Sequence, residues 1–216
     1  MIASVKDWVA WHRDYEDPAS PLSMRLECVK YYLAEAIDRA PSGPVQLVSL
    51  CAGQGHDVIG VLPDHTRRDD VRAVLVEADG YNARVARDRA AEAGLVQVEV
   101  RQADAGSVAS FADALPADVL LLCGIFGNVS DADIRRTAQA APQLCADGAT
   151  VIWTRNRRAP DLTPQLRAWF VESGLAEVGF VPVETDRLTA VGVNQLTGRP
   201  ALAAALPEGR LFRFRP

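Results

Sequence analysis

The sequence predicts an α/β protein in which a mostly parallel sheet is doubly wound, with helices on both faces. Three observations predict it: five short apolar runs, helix-forming segments between them, and a tail of strand-like runs with no helix between them. The five runs, residues 45–51, 71–77, 96–100, 118–123 and 150–154, are rich in valine, leucine and isoleucine, as strands buried on both faces require. A length of 216 residues with 49% hydrophobic content suits one domain whose core needs no disulfide or metal staple.

The elements are legible in order. Trp8, Trp11 and Tyr15 recur at helical intervals, so a first amphipathic helix is expected as far as Asp17-Pro18. Ser20-Pro21 supplies a cap and a first-turn proline for a second helix, with Leu22, Leu26, Val29, Leu33 and Ile37 on one face. Pro41-Ser42-Gly43-Pro44 breaks it. These helices, residues 1–43, are expected to lie as a lid over a core formed by 44–216. Residues 58–62 can be helical, and 81–93 form an alanine- and arginine-rich helix ending at Gly94, whose missing Cβ permits a left-handed cap. Ser130 with Asp133 resembles a capping box opening a helix to about Ala141, and Thr163-Pro164 opens another that ends at Gly174. The runs 176–183, 188–196 and 211–214 are then expected as antiparallel strands at one edge.

Composition narrows the function classes. A net charge of −5 gives no general attraction to polyphosphate, so no nucleic-acid partner is expected. The basic residues are nearly all arginine, with only Lys6 and Lys30 as lysines, and with the abundant alanine this suggests a GC-rich bacterial genome. Cys28, Cys51, Cys123 and Cys145 lack paired zinc-type spacing and read as reduced, buried thiols. His12, His56 and His65 form no metal-ligand pair, so no metal is expected. No signal-like or membrane-length apolar segment is visible, and a cytoplasmic protein with no membrane partner is the expectation.

The chemistry-bearing residues stand at strand ends. The first strand runs into Cys51-Ala52-Gly53-Gln54-Gly55-His56-Asp57, a small-residue turn that lets backbone approach a ligand and is followed by helical N–H groups. Glu77 closes the second strand about 20 residues later, where a carboxylate can accept from both hydroxyls of a ribose. The alternative is a surface acid that merely ends a strand. After the third strand, Asp104-Ala105 offers a carboxylate for an exocyclic amine and a backbone N–H for a ring nitrogen, although Asp104 could instead cap a helix near Ser107.

The order of glycine turn, Glu77, Asp104-Ala105 and the run 118–123 ending at Gly124 resembles the first four motifs of the class I S-adenosylmethionine-dependent methyltransferases. The resemblance spans residue 45 to the C-terminus. It implies a seven-stranded sheet with an antiparallel C-terminal hairpin, S-adenosylmethionine as cofactor and S-adenosylhomocysteine as product. It further implies that Cys51, Ala52, Gly53 and Gly55 contact the methionine part, Glu77 with Ala78 the ribose, Asp104 and Ala105 the adenine, and Cys123 with Gly124 the underside of the cofactor. The chain departs from the family at Ser49 and Cys51, where an acid and a glycine are usual. Val58 stands at the third glycine position of a dinucleotide fingerprint, which together with the strand-rich tail disfavours a nicotinamide-dependent oxidoreductase.

The acceptor is expected to be a small molecule, because Cys123-Gly124-Ile125-Phe126-Gly127-Asn128 lacks the run typical of base-modifying relatives. Phe126 and Asn128 are candidate substrate contacts, or else only a loop into the next helix. Arg155, in the run 153–158, suits an anionic group or a solvated rim, and Arg25 is a fourth candidate on the second helix. His12 and Tyr15 are the candidate general bases, and His56 is expected to make a polar contact. A protein that binds the cofactor without transferring methyl is the rival from another functional class.

Overall fold

The computed structural model describes residues 14, 15, 17–183, 189–198 and 209–215. Trp8, Trp11 and His12, assigned above to a lid and a candidate base, lie outside them.

The chain folds as α1 (Pro21–Arg39), β1 (Val45–Leu50), α2 (Val58–Val61), β2 (Val71–Glu77), α3 (Gly80–Glu92), β3 (Val98–Gln102), β4 (Ala117–Leu122), α4 (Asp131–Leu144), β5 (Cys145–Asn156), α5 (Thr163–Glu172), β6 (Leu175–Pro182) and β7 (Thr189–Leu196). These strands form one seven-stranded sheet in the order β3-β2-β1-β4-β5-β7-β6. The first five pair in parallel, and β7 runs antiparallel between β5 and β6.

Alternation along each strand divides its side chains between two cores. From β1, Val48 and Leu50 face one core and Val45 and Leu47 the other; Leu120 and Leu122 oppose Val119 and Leu121 in the same way on β4. The helices α1, α2 and α3 cover one face, and α4 and α5 the other. This explains the unbroken apolar runs: both faces are dry, so neither requires polar residues.

The helix α1 is a sheet-covering layer, not part of a lid. Ser20 caps it by accepting from the Ser23 N–H at 3.0 Å, and Val29, Leu33, Ala36 and Ile37 are buried against the sheet. Only its first turns, with Arg25 and Leu26, reach the ligand cavity. Of the five-residue apolar stripe, Val29, Leu33 and Ile37 belong to the core on this face of the sheet, while Leu26 lines the cavity.

Arg67 secures the far end of that helix. Its guanidinium donates to the carbonyls of Ile37 at 2.5 Å, Ala40 at 2.8 Å, Pro41 at 2.7 Å and Gly43 at 3.1 Å, and Nε pairs with Asp70 at 3.2 Å. Of the carbonyls that a helix C-terminus leaves without intrahelical partners, that of Ile37 and that of the cap residue Ala40 are satisfied by this one side chain, which also ties down the loop that follows. Arg67→Ala is expected to destabilise the protein by about 3 kcal/mol, because several charge-assisted bonds are lost together. A urea unfolding curve should move to a lower midpoint with an unchanged slope. An unmoved midpoint would remove Arg67 from the account of stability.

Several boundaries differ from expectation. The third strand begins at Val98 because residues 94 and 95 finish the α3 cap: Gly94 has φ +64°, and the Leu95 N–H donates to the Ala90 carbonyl at 2.9 Å, leaving Val96 98% exposed. The helix expected to end at Ala141 continues through Pro142 to Leu144 and leads directly into the long strand β5. The run 211–214 joins no sheet. Phe214 makes an isolated bridge to Val129, the preceding Arg210 makes another to Ser107, and the segment crosses the loops that follow β3 and β4. Its apolar residues signal burial of Leu211 and Phe212, not ladder pairing.

Candidate functional site

The strand order reverses at β1, whose neighbours β2 and β4 send their following segments to opposite faces. A crevice opens at such a switch point, at the carboxyl ends of the strands. Here it is a cavity of about 480 Å³, within the range of small-molecule sites. Cys51, Ala52, Gly53, Glu77, Ala78, Asp104, Ala105, Cys123 and Gly124 all line it.

Gly55 is the exception among the predicted cofactor contacts. It is buried beneath the turn with φ +68°, and a Cβ there would come 2.5 Å from Ile59 Cδ1 and 3.1 Å from Leu75 Cδ2. Gly55 therefore shapes the bend and does not face the cavity. Cys51 has φ +57°, the one non-glycine in the left-handed region among the described residues. The backbone demand for glycine at this position persists although the residue has changed, and strain of this kind concentrates at ligand-binding turns. Ser49 is buried within β1 and does not line the cavity.

Glu77 braces the site from below. Its Oε2 accepts from the Gly53 N–H and its Oε1 from the Asp79 N–H, each at 2.8 Å, so one carboxylate fixes both the glycine turn and the start of α3. Asp79 in turn caps α3 by accepting from the Asn82 N–H at 2.8 Å. Asp104 accepts from the Gly106 N–H at 2.9 Å and pairs with Arg210 at 2.5 Å. Beyond β4, Thr154 Oγ1 accepts from the Gly124 N–H at 2.9 Å and holds the turn that carries Cys123.

The cavity wall also includes Tyr15, Arg25, His56 and Asp57. Burial pushes the Tyr15 phenol up to about 12, with Arg25, its hydrogen-bond partner, acting against that shift. The environment of Tyr15 thus favours the protonated phenol, a form in which it donates a hydrogen bond. The His56 ring lies 4.5 Å from that of Tyr15, accepts at Nδ1 from Arg89 at 2.7 Å and meets Gln54 Oε1 at 3.3 Å. Because an arginine can only donate, Nδ1 is the acceptor of that contact. His65 is structural: Nε2 lies 3.3 Å from the Ala34 carbonyl, and Nδ1 accepts from the Arg67 N–H at 3.1 Å. Burial raises the thiols of Cys51 and Cys123 well above their ordinary range, helped at Cys51 by Glu77 and at Cys123 by Asp57, so both are neutral walls and not nucleophiles.

Burial also raises the Asp57 carboxyl above its ordinary value, against the opposing pull of its bond from the Val58 N–H at 2.8 Å and of Arg25 and Arg89. Holding this acid ionised in the folded state opposes folding above its raised pKa, and the penalty vanishes below the unfolded value, where both states are protonated. Asparagine can make the same cap. Asp57→Asn is therefore expected to raise the melting temperature at pH 8 and to leave it unchanged near pH 3. A fall at pH 8 would show that the charge itself stabilises this fold.

Of the candidate substrate contacts, only Arg25 lines the cavity. Phe126 is fully buried, with Trp153 and Phe170 at centroid distances of 6.3 Å and 6.1 Å, and belongs to the core. Asn128 donates from Nδ2 to the Gly124 carbonyl at 2.7 Å and braces the turn. Arg155 donates from Nη1 to the Phe126 carbonyl, its Nε is buried without a hydrogen-bond partner among the described residues, and burial lowers its pKa. Both polar side chains satisfy backbone groups of a tight turn, a demand that outranks exposure to a ligand. The cavity residues that sequence reasoning missed are chiefly Arg210, Phe212, Arg213 and Phe214, from the C-terminal segment. Among the described residues no helix is long and apolar enough to cross a membrane, and no group of three or more His, Cys, Asp or Glu could hold a metal ion.

No protein-family model matches the sequence, and no curated protein matches it either. Solved structures do match. Magnesium protoporphyrin IX methyltransferase from Synechocystis, solved with S-adenosylmethionine, is 11% identical, covers 91% of this chain and 100% of its own, and superposes with a TM-score of 0.67. An O-methyltransferase family protein from Burkholderia thailandensis is 17% identical over 87% of this chain at a TM-score of 0.63, and this chain spans 63% of its length. An RNA methyltransferase from Salinibacter ruber, solved with S-adenosylhomocysteine, is 21% identical over 83% of this chain and 96% of its own at a TM-score of 0.52. Strand order, antiparallel β7 and these superpositions agree: the chain has the fold of the class I S-adenosylmethionine-dependent methyltransferases.

Proposed function

We propose that this protein binds S-adenosylmethionine in the cavity and transfers its methyl group to a nucleophilic atom of a small molecule, releasing S-adenosylhomocysteine. The observation that carries the reading is convergence: the Gly53 turn, Glu77, Asp104-Ala105 and Cys123-Gly124 come from four different strand ends and line one cavity. The donor set fits an adenosyl group. Each Glu77 oxygen accepts one backbone N–H and keeps a second lone pair for a ribose hydroxyl. Asp104 offers acceptors to an amine, and the neutral thiols of Cys51 and Cys123 give the rest of the wall a soft, uncharged surface.

When bound, the cofactor supplies an electrophilic methyl on a sulfonium. The protein's own work is then to align, to exclude water and to hold partners in place, which needs no strong base. Arg25 and the Tyr15 phenol interact with each other in the cavity wall and would orient the acceptor. The acidic net charge favours a small acceptor over a polyanion.

Isothermal titration with S-adenosylmethionine, S-adenosylhomocysteine and NAD tests the reading. Both adenosyl ligands should bind and NAD should not. Methyl-labelled cofactor should then label a small-molecule acceptor from a mixed panel and leave RNA unlabelled. Binding of NAD alone would overturn the proposal, and labelling of RNA alone would overturn the acceptor class.

A further inference from the structure

Residues 209–215 form a fixed wall of the cavity. The Val108 N–H donates to the Gly209 carbonyl at 3.3 Å, the Leu211 N–H to the Gly106 carbonyl at 2.7 Å and the Arg215 N–H to the Asn128 carbonyl at 2.8 Å. The helix α4 holds the middle: Asp133 accepts from the Arg213 N–H at 3.2 Å, and Arg136 Nε donates to the Leu211 carbonyl at 3.0 Å. Gly106 makes room for this segment, since any Cβ there would collide with the Phe212 carbonyl.

From this wall Arg210 reaches Asp104 Oδ2 at 2.5 Å, while Asp104 Oδ1 accepts from the Gly106 N–H at 2.9 Å. The carboxylate is held at both oxygens and cannot turn without breaking one bond. Asp104 and Arg210 both line the cavity, beside Phe212 and Phe214, whose rings meet edge to face at 6.0 Å.

We infer that Arg210 is a positioning residue that selects the base of the bound nucleoside: it locks Asp104 as an acceptor, so a base with an exocyclic amine is taken and one with a carbonyl there is rejected. The inference rests on the adenosyl reading above. Each locked oxygen keeps a lone pair, which an amine satisfies and a carbonyl opposes. A site built to hydrogen-bond one group rejects an analogue lacking it, because its own polar atoms are left unpaired. Without Arg210, the half-exposed Asp104 side chain can turn to water, and the discrimination fades.

The test is titration of wild type, Arg210→Ala and Arg210→Lys with S-adenosylhomocysteine and its deaminated analogue S-inosylhomocysteine. Wild type should prefer the adenine compound about 100-fold; Arg210→Ala should reduce that ratio about tenfold, and Arg210→Lys should restore most of it. Partial unfolding scales both affinities equally, so the ratio reports positioning and not stability. A ratio that is near unity in wild type, or unchanged or increased in Arg210→Ala, overturns the role given to Arg210. Failure of wild type to bind S-adenosylhomocysteine at all overturns the adenosyl reading itself.

Discussion

Glu77→Ala is expected to weaken binding of S-adenosylhomocysteine by about 100-fold, or about 2.7 kcal/mol, while the protein remains folded. A single charge-assisted bond to a ribose hydroxyl would account for about 1.5–3 kcal/mol. The carboxylate has a second task, for it also accepts from the Gly53 and Asp79 N–H groups and so sets the distance between the glycine turn and α3. Its removal loses the ribose acceptor and loosens the turn that the rest of the ligand needs. Glu77→Gln separates the two parts. Its one remaining oxygen can serve a single N–H, while its amide group presents a donor to the other, so affinity should fall between wild type and alanine. Calorimetry supplies the affinities, and the melting temperature shows that the fold survives. Equal affinity in all three proteins would show that Glu77 does not face the ribose.

The legible part of this site is the part that strand position dictates. Glu77 closes β2, and Asp104 and Cys123 follow the ends of β3 and β4; a parallel sheet carries all such ends to one edge, so reading the strands already places the residues. The C-terminal wall has no comparable local signal. Residues 209–215 lie far along the chain from Gly106 and Asp133, the groups that hold them, and nothing short of the folded structure brings these together. The apolar residues of the run 211–214 read as a strand, because hydrophobic character in so short a run signals burial without specifying a ladder partner. Phe126 and Arg155 misled for a related reason. Phe126 follows the end of β4 yet packs against Trp153, and Arg155 lies within β5, which runs on to Asn156 where the sequence predicted an end at Thr154, and donates to the Phe126 carbonyl; these are demands of packing that the sequence does not display. At Cys51 the sequence shows a departure from the family's glycine, and only the backbone reveals that the glycine-like conformation is kept.

Gly192→Ala should be the most destabilising methyl addition in the sheet, lowering stability by about 3 kcal/mol and the melting temperature by about 6–12 °C. Glycine inside a strand normally weakens it, so its presence in β7 calls for a reason. The reason is Trp153, its register partner on β5, whose indole lies where a Cβ would stand. The ring cannot move aside. It is fully buried and stacked on Phe170 at 5.7 Å; its Nε1 donates to Asn194 Oδ1 at 2.8 Å, and Asn194 donates onward to the Leu175 carbonyl at 3.0 Å. The gain of about 0.4–1 kcal/mol that alanine brings by restricting the unfolded chain is too small to offset this clash. Adding Trp153→Phe removes part of the indole that the methyl strikes, so the double variant should lose less than the sum of the two single losses, a coupling that circular-dichroism melts can measure. The next residue on β5 is Thr154, which holds the Gly124 N–H at 2.9 Å, so a displaced Trp153 should also weaken binding of S-adenosylhomocysteine. Unchanged melting with unchanged affinity would show that the sheet absorbs the methyl group and that this glycine is not reserved for the tryptophan.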